Sequence, residues 1–119
     1  MIENTTPINA EHKLIVTIVS KGSASKIVAA SRKAGAGGGT ILLGRGTASK
    51  SVYLEILGIN FDPEKEIILT LAPKDRVEVI LQAILDEGNL NKPGKGIGFV
   101  VNVKGLAGIF HLLEAGKLQ

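Results

Sequence analysis

A regular stripe of aliphatic residues constrains the second half of this chain more than any other feature. The stripe follows the i, i+3, i+4, i+7 and i+8 positions of a helix and consists of Val77, Ile80, Leu81, Ile84 and Leu85. Gly88 follows where such a helix would end, and Pro73 precedes it, where the first turn tolerates a residue without an amide hydrogen. One face of this helix is therefore apolar and needs cover from the rest of the chain.

Four short segments rich in β-branched and other aliphatic residues are predicted to be strands. They are Leu14 to Val19, Thr40 to Leu43, Lys65 to Leu71 and Phe99 to Val103. A first helix is predicted from Ala24 to Ala34. Ser23 or Ser25 could cap its start, and Gly35 is placed to end it. The segment from Thr47 to Asn60 has no clear periodicity, and we predict a long connection there.

The order strand, helix, strand, strand, helix, strand is typical of the ferredoxin-like, or split βαβ, arrangement. We therefore predict an α+β fold of the order βαββαβ, in which a four-stranded antiparallel sheet carries two helices on one face. Aliphatic residues occur on both sides of the predicted strands, so the opposite face of the sheet also needs cover. A chain of 119 residues makes one domain, so another subunit is expected to supply that cover in an oligomer.

Composition argues against several classes of function. The net charge is +3, and acidic and basic residues are interspersed, which argues against a dedicated surface for nucleic acids or membranes. Three Phe, one Tyr and no Trp give little support for stacking of bases. There is no Cys, and His12 and His111 lie near opposite ends of the chain, so neither a metal site nor a catalytic site is indicated. We expect no enzyme activity, no metal and no nucleic-acid partner.

The beginning of the chain is polar and contains no apolar segment of the kind found in signal peptides. We predict a flexible lead over residues 1–12, a single domain over residues 13–119 and a cytoplasmic protein.

One short segment combines glycine with a basic residue in the way that a phosphate loop needs. In Gly94-Lys95-Gly96, backbone N–H groups could approach phosphate oxygens beside an ammonium group, although a plain glycine-rich turn explains the same residues.

From about Lys13 to Ile109, several segments of the sequence and their order resemble the P-II nitrogen-regulatory proteins, and more closely their shortened P-II-like relatives. The matching segments are Lys13 to Val19 in the first strand, Gly35 to Thr40 with its Gly-x-Thr corner, Phe61 to Ile67 before the third strand, and Asn91 to Val100 with its Gly-x-Gly loop.

The resemblance implies a homotrimer whose sheets face inward and which binds nucleotide in clefts between subunits. It also implies that a mobile loop, here about residues 47–60, controls a partner such as a transporter or a metabolic enzyme in nitrogen or related metabolism. By the same resemblance, Gly44-Arg45-Gly46 corresponds to the hinge at the base of this loop. Arg45 could pair with phosphate there, although a solvated arginine at the end of a strand is at least as good an explanation. The nucleotide-binding residues that the resemblance implies are Ile18, Gly38, Thr40, Gly44, Arg45, Gly46, Thr70, Gly94, Lys95 and Gly96.

The sequence departs from the family pattern around the phosphates. The lysine that directly follows the Gly-x-Gly loop in the family is Ile97 here, and Lys95 lies between the glycines instead. The family's Arg-x-Arg pair near the C-terminus is replaced by Ile109 to Leu113. The resemblance predicts ATP, ADP or AMP as the effector. The two departures argue against tight binding of a triphosphate and leave ADP, AMP or a different ligand as alternatives. The alternative is a CutA-like trimeric metal-binding or structural protein of the same fold.

Overall fold

A computed structural model of the chain describes residues 12–47 and 63–107. The elements are β1 (His12–Ser20), α1 (Ala24–Lys33), β2 (Thr40–Arg45), β3 (Glu64–Pro73), a 3-10 turn (Lys74–Arg76), α2 (Val77–Gly88) and β4 (Gly96–Asn102). The predicted lead before residue 12, nearly all of the predicted partner loop and the chain beyond residue 107 lie outside the described residues.

The four strands form one sheet in the order β2-β3-β1-β4, and every neighbouring pair is antiparallel. β1 and β3 occupy the centre, and β2 and β4 are the edges. Residues of both helices form one core with the same side of β1 and β3; the core is Ile15, Val19, Ala24, Ile27, Ala36, Ile68, Ala72, Ile80 and Ile84. The predicted βαββαβ fold with two helices on one face is confirmed.

Alternation along the central strands explains why the core lies on this side. Ile15, Thr17 and Val19 of β1 are buried, whereas the residues between them are partly exposed. β3 shows the same period of two with Ile68, Thr70 and Ala72. The α2 stripe then supplies Ile80 and Ile84 to the core, as the helical spacing predicts.

Three local predictions require correction. Pro73 ends β3, with φ −58° and ψ 142°, and does not begin α2, because the 3-10 turn lies between them. β4 begins at Gly96, three residues before Phe99, since its ladder to β1 already includes the pair Val19 and Gly96. Ser23 occupies the N-cap position of α1 without a capping side-chain hydrogen bond, and the carboxylate of Glu66 on β3 takes that role.

Candidate functional site

The register of the sheet brings both glycine-flanked basic residues to the same end of the molecule. Arg45 of β2 is paired with Glu64, Lys65 with Ser20, and Gly96 of β4 with Val19. The two central strands nevertheless separate the segments Gly44–Gly46 and Gly94–Gly96, because β2 and β4 are opposite edges. Three strand spacings amount to about 14 Å. A single copy of the chain therefore does not bring Arg45 and Lys95 together.

On the β4 side of this end of the sheet, both the backbone conformation and a close contact require glycine at position 96. Gly96 has φ +140°, and a Cβ atom there would lie 2.5 Å from the carbonyl oxygen of Ile18. Gly94 has φ +77°, and the N–H of Lys95 donates to the carbonyl of Lys92 at 3.3 Å. The side chain of Lys95 is exposed. The glycines thus allow β4 to lie against β1, and Lys95 is at the surface one residue before this contact.

The β2 side of this end carries the base of the long connection. The N–H of Gly46 donates to the carbonyl of Pro63 at 2.6 Å. This hydrogen bond joins the residue that follows β2 to the residue that precedes β3. Arg45 is exposed and lies directly opposite Glu64, so the two side chains share a face of the sheet. Glu64 also forms an ion pair with Lys21 at 3.0 Å. Arg45 therefore lies opposite a negatively charged side chain, that of Glu64 on the neighbouring strand.

Lys65 is a basic residue of this end that the sequence reasoning missed. It lies between Glu64 and Glu66 on β3, so it points to the opposite face of the sheet, and its cross-strand neighbour on β2 is Gly44. The alternation of acidic and basic residues in the segment Glu64 to Glu66 is the signal that could have identified it. Lys65 and Gly44 place a positive charge next to a residue without a side chain, on the face that the helices leave open.

The remaining predicted site residues are spread over both faces of the sheet. Ile18 is paired with Ile67 and Ile97 on the open face, and Thr40 is paired with Leu69 on that same face. Thr40 begins β2, roughly 17 Å along the strand from Arg45.

Gly38 and Thr70 complete the set of predicted site residues. Thr70 is fully buried on the helix side, and its Oγ1 atom has no hydrogen-bond partner among the described residues. Gly38 precedes β2 with φ +137°. Thr40 and Thr70 are therefore on opposite faces of the sheet.

The open face of the sheet is a continuous apolar surface. Its residues come from all four strands and are Leu14, Val16, Ile18, Leu42, Ile67, Leu69, Leu71, Ile97, Phe99 and Val101. The edge residues are the most exposed, with 45% for Leu42 and 56% for Ile97. An exposed apolar surface that extends over four strands is typical of a site of interaction.

Neither a metal-binding cluster nor a membrane-spanning helix occurs among the described residues. No group of three or more His, Cys, Asp or Glu side chains in residues 12–47 and 63–107 is arranged to hold a metal ion. Neither helix in those ranges has the length and hydrophobicity needed to cross a membrane.

No protein-family model matches the sequence, and no curated protein matches it either. Solved structures do match. PII of Arabidopsis thaliana bound to citrate is 21% identical, with a TM-score of 0.59 over 79% of this chain and 76% of that one. CPII of Thiomonas intermedia bound to ADP, AMP and acetate is 16% identical, with a TM-score of 0.62 over 82% and 90%.

A third similar structure is a PII-like signalling protein of Thermus thermophilus, which is 23% identical, with a TM-score of 0.57 over 77% of this chain and 85% of that one. The α+β arrangement of a four-stranded antiparallel sheet with two helices in this chain matches these PII and PII-like structures. The chain therefore has the fold of the PII and PII-like signalling proteins.

Proposed function

We propose that this chain is a PII-like regulator and not an enzyme. In this proposal a homotrimer binds an adenine nucleotide between its subunits and controls a partner protein, such as a transporter or an enzyme of nitrogen or related metabolism. The observation that carries the proposal is the position of Arg45 and Lys95 at one end of the sheet but on opposite edges. A second copy placed edge to edge would set the β2 end of one subunit beside the β4 end of the next.

The apolar open face supports assembly through the sheet. Burying this face would remove from water the side chains that the helices do not cover, at a gain of about 25 cal/mol per Å². Neither β2 nor β4 contains a lysine or a proline, two residues that commonly prevent pairing at the edge of a sheet. A trimer in which the open faces meet and the edges adjoin would cover the apolar face and would pair the edge strands.

The charge at the site favours a nucleotide with one or two phosphate groups. Arg45 and Lys95 bring two positive charges to the proposed cleft, and Glu64 lies opposite Arg45, so the cleft offers less positive charge than a triphosphate requires. The CPII structure from Thiomonas intermedia, which has a similar fold, was solved with ADP and AMP. We therefore propose ADP or AMP as the effector, with Ile18, Gly38 and Thr40 as further contacts.

The position of the loop base suggests how binding would reach a partner. The hydrogen bond from Gly46 to Pro63 closes the base of the segment of about residues 47–60. A phosphate held by the Gly44–Gly46 segment would lie directly beside this base. We propose that the ligand changes the population of loop conformations, and it can do so only as far as its affinity differs between them.

Calorimetric titration of the purified full chain with ATP, ADP, AMP and cyclic AMP tests the proposal. We expect heat of binding with ADP or AMP and a weaker response to ATP. Lys95→Gln removes the charge in the Gly-x-Gly loop and should weaken binding by roughly tenfold, which corresponds to about 1.4 kcal/mol. Lys92→Gln is the matched control, because it removes a charge from the same turn outside the glycines. Absence of heat with all four nucleotides up to about millimolar concentration would overturn the proposal.

A further inference from the structure

The outer surface of the helical layer carries opposite charges on its two helices. The exposed side chains of α1 include Lys26, Arg32 and Lys33, and α1 contains no acidic residue. The exposed side chains of α2 include Glu78, Asp86 and Glu87, and α2 contains no basic residue. Each helix therefore presents three charges of a single sign to its surroundings.

These charges are not neutralised within one copy. In the part of the chain that the structure describes, none of the six side chains forms an ion pair within 4.0 Å. Asp86 accepts a hydrogen bond from the amide of Gln82 at 2.9 Å, which holds its carboxylate at the outer surface of α2. The opposite charges are thus available to a partner that presents the complementary pattern.

A shallow, open depression lies between the acidic side chains. It is lined by Ala34, Glu78, Val79, Gln82, Ala83 and Asp86. Val79 is 51% exposed, although it is a large aliphatic residue in the middle of the outer surface. The outer surface of α1 has the small side chain of Ala29 at its centre, flanked by Lys26 and Lys33. A small residue at that place allows a second helix to approach closely.

The two helices of one copy are antiparallel, and this determines which arrangement of two copies is complementary. The guanidinium of Arg76, just before α2, donates to the carbonyl of Ala34 at the end of α1 at 3.0 Å. The end of α2 lies beside the first half of α1, since a Cβ atom at Gly88 would be 3.1 Å from Ile27 Cδ1. A two-fold axis parallel to the helices would stack α1 of each copy on α2 of the other. An axis across the helices would stack like charges on each other.

The spacing of the charges fits the first arrangement. Lys26 and Lys33 are separated by about 10.5 Å along α1, and Glu78 and Asp86 by about 12 Å along α2. With the axis parallel to the helices, Lys33 faces Glu78 of the second copy while Lys26 faces Asp86, and both contacts occur twice because the interface is symmetric.

We propose that the helical layer is a self-association surface, on which a second copy of this chain docks through α1 on α2 and α2 on α1. Helices of 10 and 12 residues make a small interface, well below the roughly 1,200 to 2,000 Å² of stable complexes. The association is therefore weak and depends on ionic strength. It uses the face of the molecule opposite to the open sheet face and does not depend on nucleotide binding.

Sedimentation velocity over a concentration series tests this surface. We expect the weight-average mass to rise above that of the basic assembly at about 20 mM salt and to return to it at about 500 mM salt, since exposed charges are screened there. A trimer with its sheets facing inward carries three such surfaces, so this growth is not limited to two trimers. The change in apparent dissociation constant should be at least about tenfold. Association through the apolar sheet face should persist at both salt concentrations, so the two kinds of assembly are distinguishable.

Charge reversal provides the decisive comparison. The variant Lys26→Glu/Lys33→Glu and the variant Glu78→Lys/Asp86→Lys should each lose the rise in mass at low salt, because the facing helices of two identical copies then no longer carry opposite charges. An equimolar mixture of the two variants should regain it. Lys92→Glu, which reverses a charge outside this surface, should leave the rise in mass intact. A rise in mass that is unaffected by salt and by both variants, or a mixture that fails to associate, overturns the proposal; circular dichroism establishes that each variant is folded.

Discussion

The Oε1 atom of Glu66 on β3 accepts a hydrogen bond from the backbone N–H of Ala24, the first residue of α1, at 3.0 Å. The same oxygen accepts from the N–H of Gly22 at 2.8 Å. These two amide groups have no carbonyl partner within the helix, and a negative charge at the start of a helix also interacts favourably with the helix dipole. A residue 42 positions away in the sequence therefore caps α1 and connects it to the central sheet.

Replacement of this carboxylate should destabilise the fold measurably. Glu66→Ala leaves the amide groups of Gly22 and Ala24 without their acceptor, and we expect the free energy of unfolding to fall by about 1 to 2 kcal/mol. Denaturation with urea at constant protein concentration measures it. Glu64→Ala is the comparison, because the ion pair of Glu64 with Lys21 is exposed and should contribute less than about 1 kcal/mol. Equal losses in the two variants would contradict the capping role.

Gly96 should be intolerant of any side chain. In Gly96→Ala the new Cβ atom meets the backbone oxygen of Ile18 at 2.5 Å, and φ +140° is unfavourable for alanine as well. We expect a loss of stability of about 3 kcal/mol or more.

Gly22→Ala is a control that measures the cost of a positive φ without a close contact of the new Cβ atom. Gly22 has φ +99°, but apart from its chain neighbours no atom of the described residues lies within 4 Å of the position that a Cβ atom would take there, so the loss should be limited to about 1 to 2 kcal/mol. A similar loss at both glycines in thermal or urea denaturation would show that close approach to β1 is not what requires Gly96.

The buried hydroxyl of Thr70 offers a test of stability and of binding together. Thr70→Val replaces a buried hydroxyl that has no hydrogen-bond partner among residues 12–47 and 63–107 by a methyl group of similar volume, so stability should rise by up to about 1 kcal/mol. Thr17→Val, on the same side of β1, should behave alike. Because the Thr70 hydroxyl faces the core, we expect the nucleotide affinity of Thr70→Val to match that of the wild type. A tenfold loss of affinity would instead place this hydroxyl in the binding site.

A charge in the middle of the open sheet face should prevent assembly. Val16 is paired with Leu69 and Phe99 at the centre of this face, and Val16→Lys would bury an ammonium group in the proposed trimer. We expect the mass measured by light scattering to fall from three chains to one chain of 12.4 kDa. Val79→Lys makes the same substitution on the exposed side of α2 and, at high salt, should leave the trimer intact. A trimer in both variants would exclude the sheet as the interface.

The sequence by itself determined the elements and their order. Periodicity is a local property, so the stripe from Val77 to Leu85 predicted α2, and the β-rich aliphatic segments predicted the four strands. The fold class followed from the order of the elements. The glycine-flanked residues Arg45 and Lys95 were also identifiable, because glycine next to a basic residue is a local signal.

Only the tertiary structure decided how these pieces relate to one another. The pairing of β1 with β3 and β4 placed Arg45 and Lys95 on opposite edges, set Lys65 on the open face and buried Thr70 beneath the helices. It also supplied the cap of α1 from Glu66 in place of Ser23. Strand pairing and register depend on contacts between residues far apart in the chain, and no local pattern of residues specifies them.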